Sequence, residues 1–301
     1  MTTTMTRLAA LAAASAFGLG AANAATVTTA AAGDGSAASA TVAATLSDAL
    51  LQGGTSGSSG ITIVAGSQRY IGADGQGGTY AGAQFGPISI ADGVILTTGD
   101  AVVLTGAENT ANETSVDTLT GGNAAIDDLR GAAGDTFNQT VLSFDFVLND
   151  PSNNAVALDF LFGSEEFPDN GEPDTFAVFL TDANGDLVNF AQFADGELIG
   201  VSDQTNFNDN TDGNPFGVEL NGLTDVLTLT ALLDPDVIGA YTLTIALADT
   251  GDELFDSAVF LTGLRATTAM VGGIDPVPLP GAALLFPLGI AGLAAARRAK
   301  R

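Results

Sequence analysis

Two acidic clusters contain the side chains of this sequence that are best suited to chemistry. The first lies in residues 162–176 and the second in residues 249–261, and each joins two segments with strand character. Facing carboxylates repel one another unless a cation or protons neutralise them, and their oxygens are typical ligands of Ca²⁺. We expect a subset of these acids to bind at least one calcium ion, the alternative being turns and solvated surface. The predicted metal ligands are Glu165, Glu166, Asp174, Asp249, Asp252 and Asp256.

A third acidic segment resembles an EF-hand loop in spacing. Positions 1, 3, 5, 6 and 12 of such a loop are held by Asn208, Asn210, Asp212, Gly213 and Glu219. Asn208, however, stands where Asp is normally required. No helical pattern flanks the segment. An Asx-rich turn is therefore the favoured interpretation.

Composition excludes several classes of protein. The chain of 301 residues has no His, Cys or Trp, and 35 acidic residues face 8 basic ones, for a net charge of −27. These absences exclude a Ser-His-Asp triad, a cysteine nucleophile, a disulfide and an ordinary zinc site. Only Arg69, Arg130 and Arg265 lie between Ala25 and Pro280, so nucleic acid is not an expected partner.

One kind of enzyme remains as a remote alternative. A pair of carboxylates can hydrolyse glycosides, with Glu165 or Glu166 set against Asp174 or Asp256. Such sites usually also contain aromatic platforms for the sugar, and this chain has no Trp and only three Tyr. We therefore predict that the protein is not an enzyme.

The N-terminal segment, residues 1–24, has the pattern of a secretory signal peptide. Arg7 supplies the positive charge, residues 8–22 form an apolar and small-residue run, and Ala22-Asn23-Ala24 gives an Ala-x-Ala cleavage site. The sequence thus predicts export.

The C-terminal segment, residues 276–301, has the pattern of a membrane anchor. Val277-Pro278-Leu279-Pro280 precedes sixteen uncharged residues, 281–296, and a basic cluster closes the chain. Sixteen residues are short for a span of about 20, but the basic cluster is typical of a cytoplasmic end. We expect one transmembrane helix here.

The segment between these ends is predicted to be one all-β domain of the β-sandwich or jelly-roll type. We expect a flexible leader over residues 25–44 and the domain itself over residues 45–275, with a short helix near residues 45–51 that Thr45 or Ser47 caps. Alternating apolar residues predict strands at residues 141–148, 156–162, 241–247 and 258–264, and residues 176–180 are apolar on both faces. Many strands and few convincing helices favour a sandwich.

The C-terminal features resemble the Val-Pro-Leu-Pro-Ala variant of the PEP-CTERM sorting signal. In proteins with this signal, an exosortase of the Gram-negative inner membrane recognises the motif and processes the protein for the surface. The resemblance implies an exosortase-type partner, an inner-membrane-anchored precursor and a final location at the cell surface or outside the cell. Gly281 stands where the family usually has Ala, which exchanges one small residue for another.

Several central motifs resemble the choice-of-anchor L family. They are the Phe-Gly-Ser-Glu-Glu motif at 162–166, the Asp-x-Phe motif at 174–176, the Asp-Ser-Ala-Val-Phe-Leu motif at 256–261, and the earlier segments 93–99 and 127–129. The resemblance covers roughly residues 45 to 265. It implies an extracellular domain that is combined with different surface anchors and carries no established catalytic activity.

Taken together, these patterns predict an exported, surface-anchored, non-catalytic β-sandwich of the cell envelope or extracellular matrix. The alternative from another class is a calcium-dependent carbohydrate-binding module or adhesin, with exopolysaccharide as its partner.

Overall fold

Eighteen β-strands and three α-helices form the part of the chain that the computed structural model describes, which is residues 25–52, 59–107, 109, 114–168, 171–193, 195–202, 204–234, 239–270 and 272–276. The strands are β1 (Thr26–Thr29), β2 (Gly33–Asp34), β3 (Ile61–Ile63), β4 (Arg69–Gly72), β5 (Gly77–Ala81), β6 (Gln84–Phe85), β7 (Ile88–Ser89), β8 (Gly93–Thr97), β9 (Thr136–Leu148), β10 (Ala155–Ser164), β11 (Thr175–Thr181), β12 (Leu187–Asn189), β13 (Phe207–Asp209), β14 (Gly222–Thr224), β15 (Leu227–Leu232), β16 (Tyr241–Thr250), β17 (Ser257–Thr267) and β18 (Gly273–Pro276). The helices are α1 (Ala40–Gln52), α2 (Ala101–Leu104) and α3 (Ala124–Arg130).

The strands form two large antiparallel sheets and one small hairpin. The first sheet has nine strands in the order β1-β5-β8-β17-β10-β14-β13, with β15 beside β10 and β18 beside β15. The second sheet has seven strands in the order β12-β11-β16-β9-β4-β2, with β3 beside β9. Strands β6 and β7 pair only with each other.

The main core lies between the two sheets. Alternate residues of β10, such as Phe160 and Phe162, bury their side chains there, and Phe144 and Phe146 of β9 do so from the opposite sheet. Helix α1 packs against β8 and β17 of the first sheet and against β4 and β9 of the second. The predicted β-sandwich is therefore confirmed, with the strand alternation that the sequence indicates.

Both sheets are also covered on their outer faces. On the first sheet, Leu161 and Phe260 pack beneath Phe85 of the β6–β7 hairpin and beneath Phe216 of a long loop. On the second sheet, α3 packs its Ile126 over a smaller apolar cluster that includes Phe179. Because both faces of β11 are covered, residues 176–180 are apolar throughout, as predicted for a strand between two packed layers.

The flexible leader predicted for residues 25–44 is corrected by the structure. Strand β1 pairs with β5, strand β2 pairs with β4, and α1 begins at Ala40. The β-branched run Thr26–Thr29 suits an added edge strand, which the high content of Ala, Gly and Ser nearby concealed. The short predicted helix near residues 45–51 is thus the second half of a longer one.

The predicted caps of that helix are also wrong. Thr45 and Ser47 lie inside α1, where their hydroxyls donate to the carbonyls of Thr41 and Ala44. The side chain of Ser36 caps instead the short 3₁₀ turn that leads into α1, by accepting from the Ala38 N–H.

Three predicted features lie outside the described residues: the signal peptide 1–24, the sorting motif 277–280 and the transmembrane helix 281–296. Within the described ranges, no helix is long and apolar enough to span a membrane.

The EF-hand-like segment folds as a clamped loop without flanking helices. Asn208 lies in β13, and the fully buried Asn210 donates from Nδ2 to the carbonyls of Val218 and Leu220 at 2.8 and 2.9 Å. Its Oδ1 accepts from the Phe216 N–H at 3.0 Å. The favoured interpretation, an Asx-rich turn, agrees with this use of the Asn side chain.

Replacing Asn210 with alanine is expected to lower the free energy of unfolding by about 2–3 kcal/mol, because buried backbone groups lose their partners. The melting temperature should fall by about 4–12 °C for a domain of this size. Thermal unfolding followed by circular dichroism measures the change. Asn184→Ala, in the exposed turn before β12, is the control and should shift melting by no more than about 2 °C. Equal shifts in the two variants would contradict the role of the clamp.

Candidate metal centre

Two predicted ligands of the first sheet meet where β10 ends and β17 begins. Glu165 follows the last residue of β10, and Asp256 precedes the first residue of β17. The strands are antiparallel with Ser164 opposite Ser257, and the Glu165 N–H donates to the Asp256 carbonyl at 3.1 Å. The two acids, 91 residues apart in the sequence, are therefore neighbours at one end of this sheet.

Two predicted ligands of the second sheet meet in a similar way. Asp174 precedes β11 and Asp249 lies near the end of β16, in an antiparallel pair where Thr175 is opposite Ala248. The Asp174 carboxylate interacts electrostatically with that of Asp249 and also with those of Glu166 and Asp256. The carboxylates of both sheets therefore form one cluster, at one end of the sandwich.

The cluster is buried, and many of its oxygens have no hydrogen-bond partner. Each of five predicted ligands is no more than 1% exposed, namely Glu165, Glu166, Asp174, Asp249 and Asp256. Both carboxylate oxygens of Glu165, Asp174 and Asp256 and one oxygen of Asp249 lack a hydrogen-bond partner. A buried polar atom without a partner is costly, so this arrangement requires another neutralising group or protons.

Small polar residues order the backbone and side chains around the cluster. Asn138 of β9 donates from Nδ2 to Asp249 Oδ2 at 2.9 Å. The Ser164 hydroxyl accepts from the Glu166 N–H at 2.9 Å and lies 2.8 Å from the Ser257 hydroxyl. The Asn138 contact orders the end of the second sheet, and the serine contacts order the end of the first.

The glycine in the turn after β8 makes room for one carboxylate. A side chain at Gly99 would collide with the Asp256 carboxylate, so this position requires glycine. The preceding residue, Thr98, accepts at its hydroxyl from the Ser257 N–H at 2.9 Å. The motif at residues 93–99 therefore serves to seat Asp256.

Burial raises the pKa of every carboxyl in the cluster for which a shift is resolved. It raises the pKa of Glu165 to about 9, with Glu219 as the next contributor, and that of Asp256 to about 8. It raises the pKa of Asp249 to about 7 and that of Asp174 well above its ordinary value, the latter also through Asp249. In the absence of a cation, the cluster therefore retains protons at neutral pH.

No arginine neutralises the cluster within the described residues. The two ion pairs found there join Arg265 to Asp159 at 3.0 Å and Arg130 to Asp135 at 3.7 Å. Arg69 donates to the carbonyls of Gly66 and Gln68. The neutralising charge must therefore come from protons or from an ion.

The carboxylates are not arranged as a complete metal-binding site. In the described parts of the chain, no three acidic side chains converge closely enough to hold an ion as they are. Asp174 also lines a cavity of about 310 Å³, together with Arg130, Thr175 and Ile199. No other carboxylate of the cluster lines that cavity, so a bound metal would have to draw the carboxylates together.

Residues 36–265 match the family model of the choice-of-anchor L domain. This chain belongs to the choice-of-anchor L family. The match confirms the resemblance of the central motifs and supports a cell-surface or extracellular protein. It does not extend to the sorting signal.

Comparisons with individual proteins add little to the family assignment. No curated protein matches the sequence. A solved carbohydrate-binding module specific for non-crystalline cellulose matches with a TM-score of 0.26 and 15% identity, over 43% of this chain and 66% of that chain. The match thus spans just under two thirds of the module's length.

One predicted ligand of the choice-of-anchor L domain lies at the rim rather than inside. Asp252 is half-buried, and its Oδ1 accepts from the Leu254 N–H at 2.9 Å. Its charge still contributes to the raised pKa of Asp249. The structure thus brings five of the six predicted residues into the interior and leaves Asp252 at the edge.

One buried acidic residue near the cluster was not among the predicted ligands. Glu219 is only 4% exposed and accepts at Oε1 from the Thr114 hydroxyl at 2.8 Å. Its carboxylate raises the pKa of Glu165, so the two side chains lie close together. The only indication of Glu219 in the sequence was its place in the EF-hand-like spacing of residues 208–219. That spacing suggested a self-contained calcium loop instead.

The metal-free choice-of-anchor L domain is expected to lose stability as pH rises. Carboxyls whose pKa is raised in the folded state bind protons more tightly there than in the unfolded state. Their contribution to the free energy of unfolding is therefore fully present below about pH 4, and it is lost as the pH rises through their folded-state pKa values of about 7 to 9. The melting temperature of exhaustively chelated protein should therefore be higher at about pH 5 than at about pH 9. Differential scanning calorimetry across this range measures it. A melting temperature that is flat or rises with pH would contradict the predicted protonation.

Proposed function

We propose that this domain is an exported, non-catalytic surface module whose sandwich is completed by calcium bound between its two sheets. The observation that carries the proposal is the set of buried carboxylate oxygens without partners, supplied by both sheets at one end of the fold. A cation there would replace intersheet repulsion with shared coordination. The module's task is then structural, as a durable component of the envelope or matrix.

The chemistry of the donors favours calcium over other metals. The cluster offers carboxylate oxygens, and the chain has no His or Cys for zinc. Calcium accepts six to eight oxygen ligands in flexible geometry, whereas magnesium demands a tight octahedron and gives up water reluctantly. A cluster that must adjust its shape on binding therefore suits calcium better.

Four residues would form the centre of the proposed calcium site. Glu166 and Asp256 would bind from the first sheet, and Asp174 and Asp249 from the second. Asp252 would contribute from the rim through its second oxygen or a bridging water. Glu165 interacts electrostatically with Glu219 and Asp256.

Burial argues against the glycosidase alternative. Glu165, Glu166, Asp174 and Asp256 are at most 1% exposed, so a polysaccharide would have no access to them in this arrangement. The carboxylates also lie inside the sandwich rather than in an open cleft. These observations support a non-catalytic role.

The carbohydrate-binding alternative lacks its usual surface. No aromatic side chain of the described residues is exposed, and Tyr70, Tyr80 and Tyr241 are all buried. Sugar-binding surfaces commonly stack pyranose rings on exposed aromatic rings. Exopolysaccharide therefore ranks below a structural role as the explanation of this module.

The proposal includes export and sorting. The signal peptide 1–24 would direct secretion, and the motif Val277-Pro278-Leu279-Pro280 would be processed by an exosortase-type enzyme. Strand β18 ends at Pro276, so the last described strand leads directly into the motif. That position leaves the whole sandwich on the exported side of the proposed anchor.

Calcium is expected to raise the melting temperature of the exported protein by about 5–10 °C. At 100 times the dissociation constant, binding adds about 2.7 kcal/mol to the free energy of unfolding. Differential scanning fluorimetry with calcium, with magnesium, and with sodium chloride at matched ionic strength separates binding from charge screening. Asp174→Asn should reduce the calcium-specific shift without destabilising the metal-free protein, because a buried carboxyl that holds its proton in the absence of metal becomes a neutral amide of similar shape.

Glu253→Gln is the matched control for that experiment. Glu253 is exposed and lies in the same loop as Asp252, so its variant removes one charge without touching the buried cluster. It should retain the full calcium response. If calcium raises melting no more than matched sodium chloride does in the unmodified protein, the proposed calcium site does not exist.

Maturation is expected to remove both ends of the chain. Intact-mass spectrometry of protein released from the producing cells should give a mass that begins at Ala25 and ends near Pro280. A released form that still carries the tail 297–301 would refute the sorting proposal. A form that retains residues 1–24 would refute cleavage of the signal peptide.

A further inference from the structure

The buried carboxylates divide into two groups that share one member. Asp174 interacts electrostatically with Asp249, Glu166 and Asp256. Glu165 interacts instead with Glu219 and Asp256. Asp256 is therefore the carboxylate that interacts with both Asp174 and Glu165.

Separate polar contacts surround the second group. The Thr114 hydroxyl donates to Glu219 Oε1 at 2.8 Å, and the Thr114 carbonyl accepts from the Asp256 N–H at 2.9 Å. Asn221 donates from Nδ2 to the Glu165 carbonyl at 3.0 Å. The segment at Thr114 and the loop that carries Glu219 thus contact Asp256 and Glu165, the residues at the ends of β17 and β10.

Two side chains of this group have oxygens that point to a ligand. Glu165 is fully buried, yet neither of its carboxylate oxygens has a hydrogen-bond partner. Asn109, whose Nδ2 donates to Asn221 Oδ1 at 2.9 Å, has a buried Oδ1 that also lacks a partner. Neutral amide oxygens and carboxylate oxygens together form a donor set that calcium accepts.

Charge favours more than one ion. With Glu219 included, six carboxylates of the two groups are no more than 4% exposed. One divalent ion compensates two negative charges, and an ion among Asp174, Asp249 and Glu166 would leave the pair Glu165 and Glu219 without a cation. Two buried carboxylates in one place are strongly unfavourable unless a cation or a proton joins them.

We propose that the domain binds two calcium ions, with Asp256 as the bridging ligand between them. The first ion is the one proposed above, held by Glu166, Asp174 and Asp249. The second is held by Glu165 and Glu219, with the Asn109 amide oxygen beside it. This inference extends the proposed calcium site by a second centre with its own ligands.

The number of bound ions tests the inference directly. Equilibrium dialysis of the metal-free exported protein against radioactive calcium, in about 0.15 M sodium chloride with excess magnesium to occupy exposed carboxylates, should give two ions per chain. Glu219→Gln and Asp174→Asn should each reduce the number to one, and Asp256→Asn should weaken both sites. Glu253→Gln should leave two ions.

The outcomes separate the two proposals. One ion in the unmodified protein, or two ions still bound by Glu219→Gln, would overturn the second centre and leave the proposed calcium site intact. No bound ion would overturn both. If Glu219→Gln does not fold, Glu165→Gln takes its place, and anomalous scattering from crystals of the unmodified protein grown with calcium decides without any variant. Two peaks on either side of Asp256 support the inference, and a single peak overturns it.

Discussion

The interior of this domain must neutralise the carboxylates that its two sheets bring together. Hydrophobic packing between β9, β10, β16 and β17 holds the sheets face to face, and the same pairing directs Glu165, Asp174, Asp249 and Asp256 to one end, out of contact with water. Burial that stabilises the Phe residues therefore destabilises every ionised acid beside them. Polar residues such as Asn138 and Ser257 form hydrogen bonds in the immediate surroundings of these acids.

Much of the sandwich was predictable from sequence because its central strands alternate. Phe144 and Phe160 are buried between the sheets, whereas Asp145 and Asp159 face away from that core, so the period of two is plain. The edges were harder to predict. Strand β1 is four residues long, and its position depends on pairing with β5. Its partners lie 49 to 55 residues away in the sequence, so the local pattern does not contain them.

The candidate site was predictable in membership but not in arrangement. Acids beside strand ends indicated the residues, because antiparallel neighbours place such positions together. Sequence could not show that Glu165 and Glu166 lie in different surroundings, since that depends on the turn after β10. Glu219 was missed as a partner of Glu165 because its loop reaches the cluster only after Asn210 clamps it. The spacing within that loop suggested a self-contained ion loop instead.

Strand β18 gives the choice-of-anchor L domain a particular mechanical layout. It is a four-residue edge strand that pairs only with β15 among the described elements, and it is the last one before the proposed attachment segment. A force applied through that segment would therefore first act on the four residue pairs between β18 and β15. The carboxylates lie on or next to strands β10, β11, β16 and β17. The force would reach these strands only after β18 has separated from β15. Under such a load the edge strand would separate first, and the strands around the proposed calcium site would remain paired.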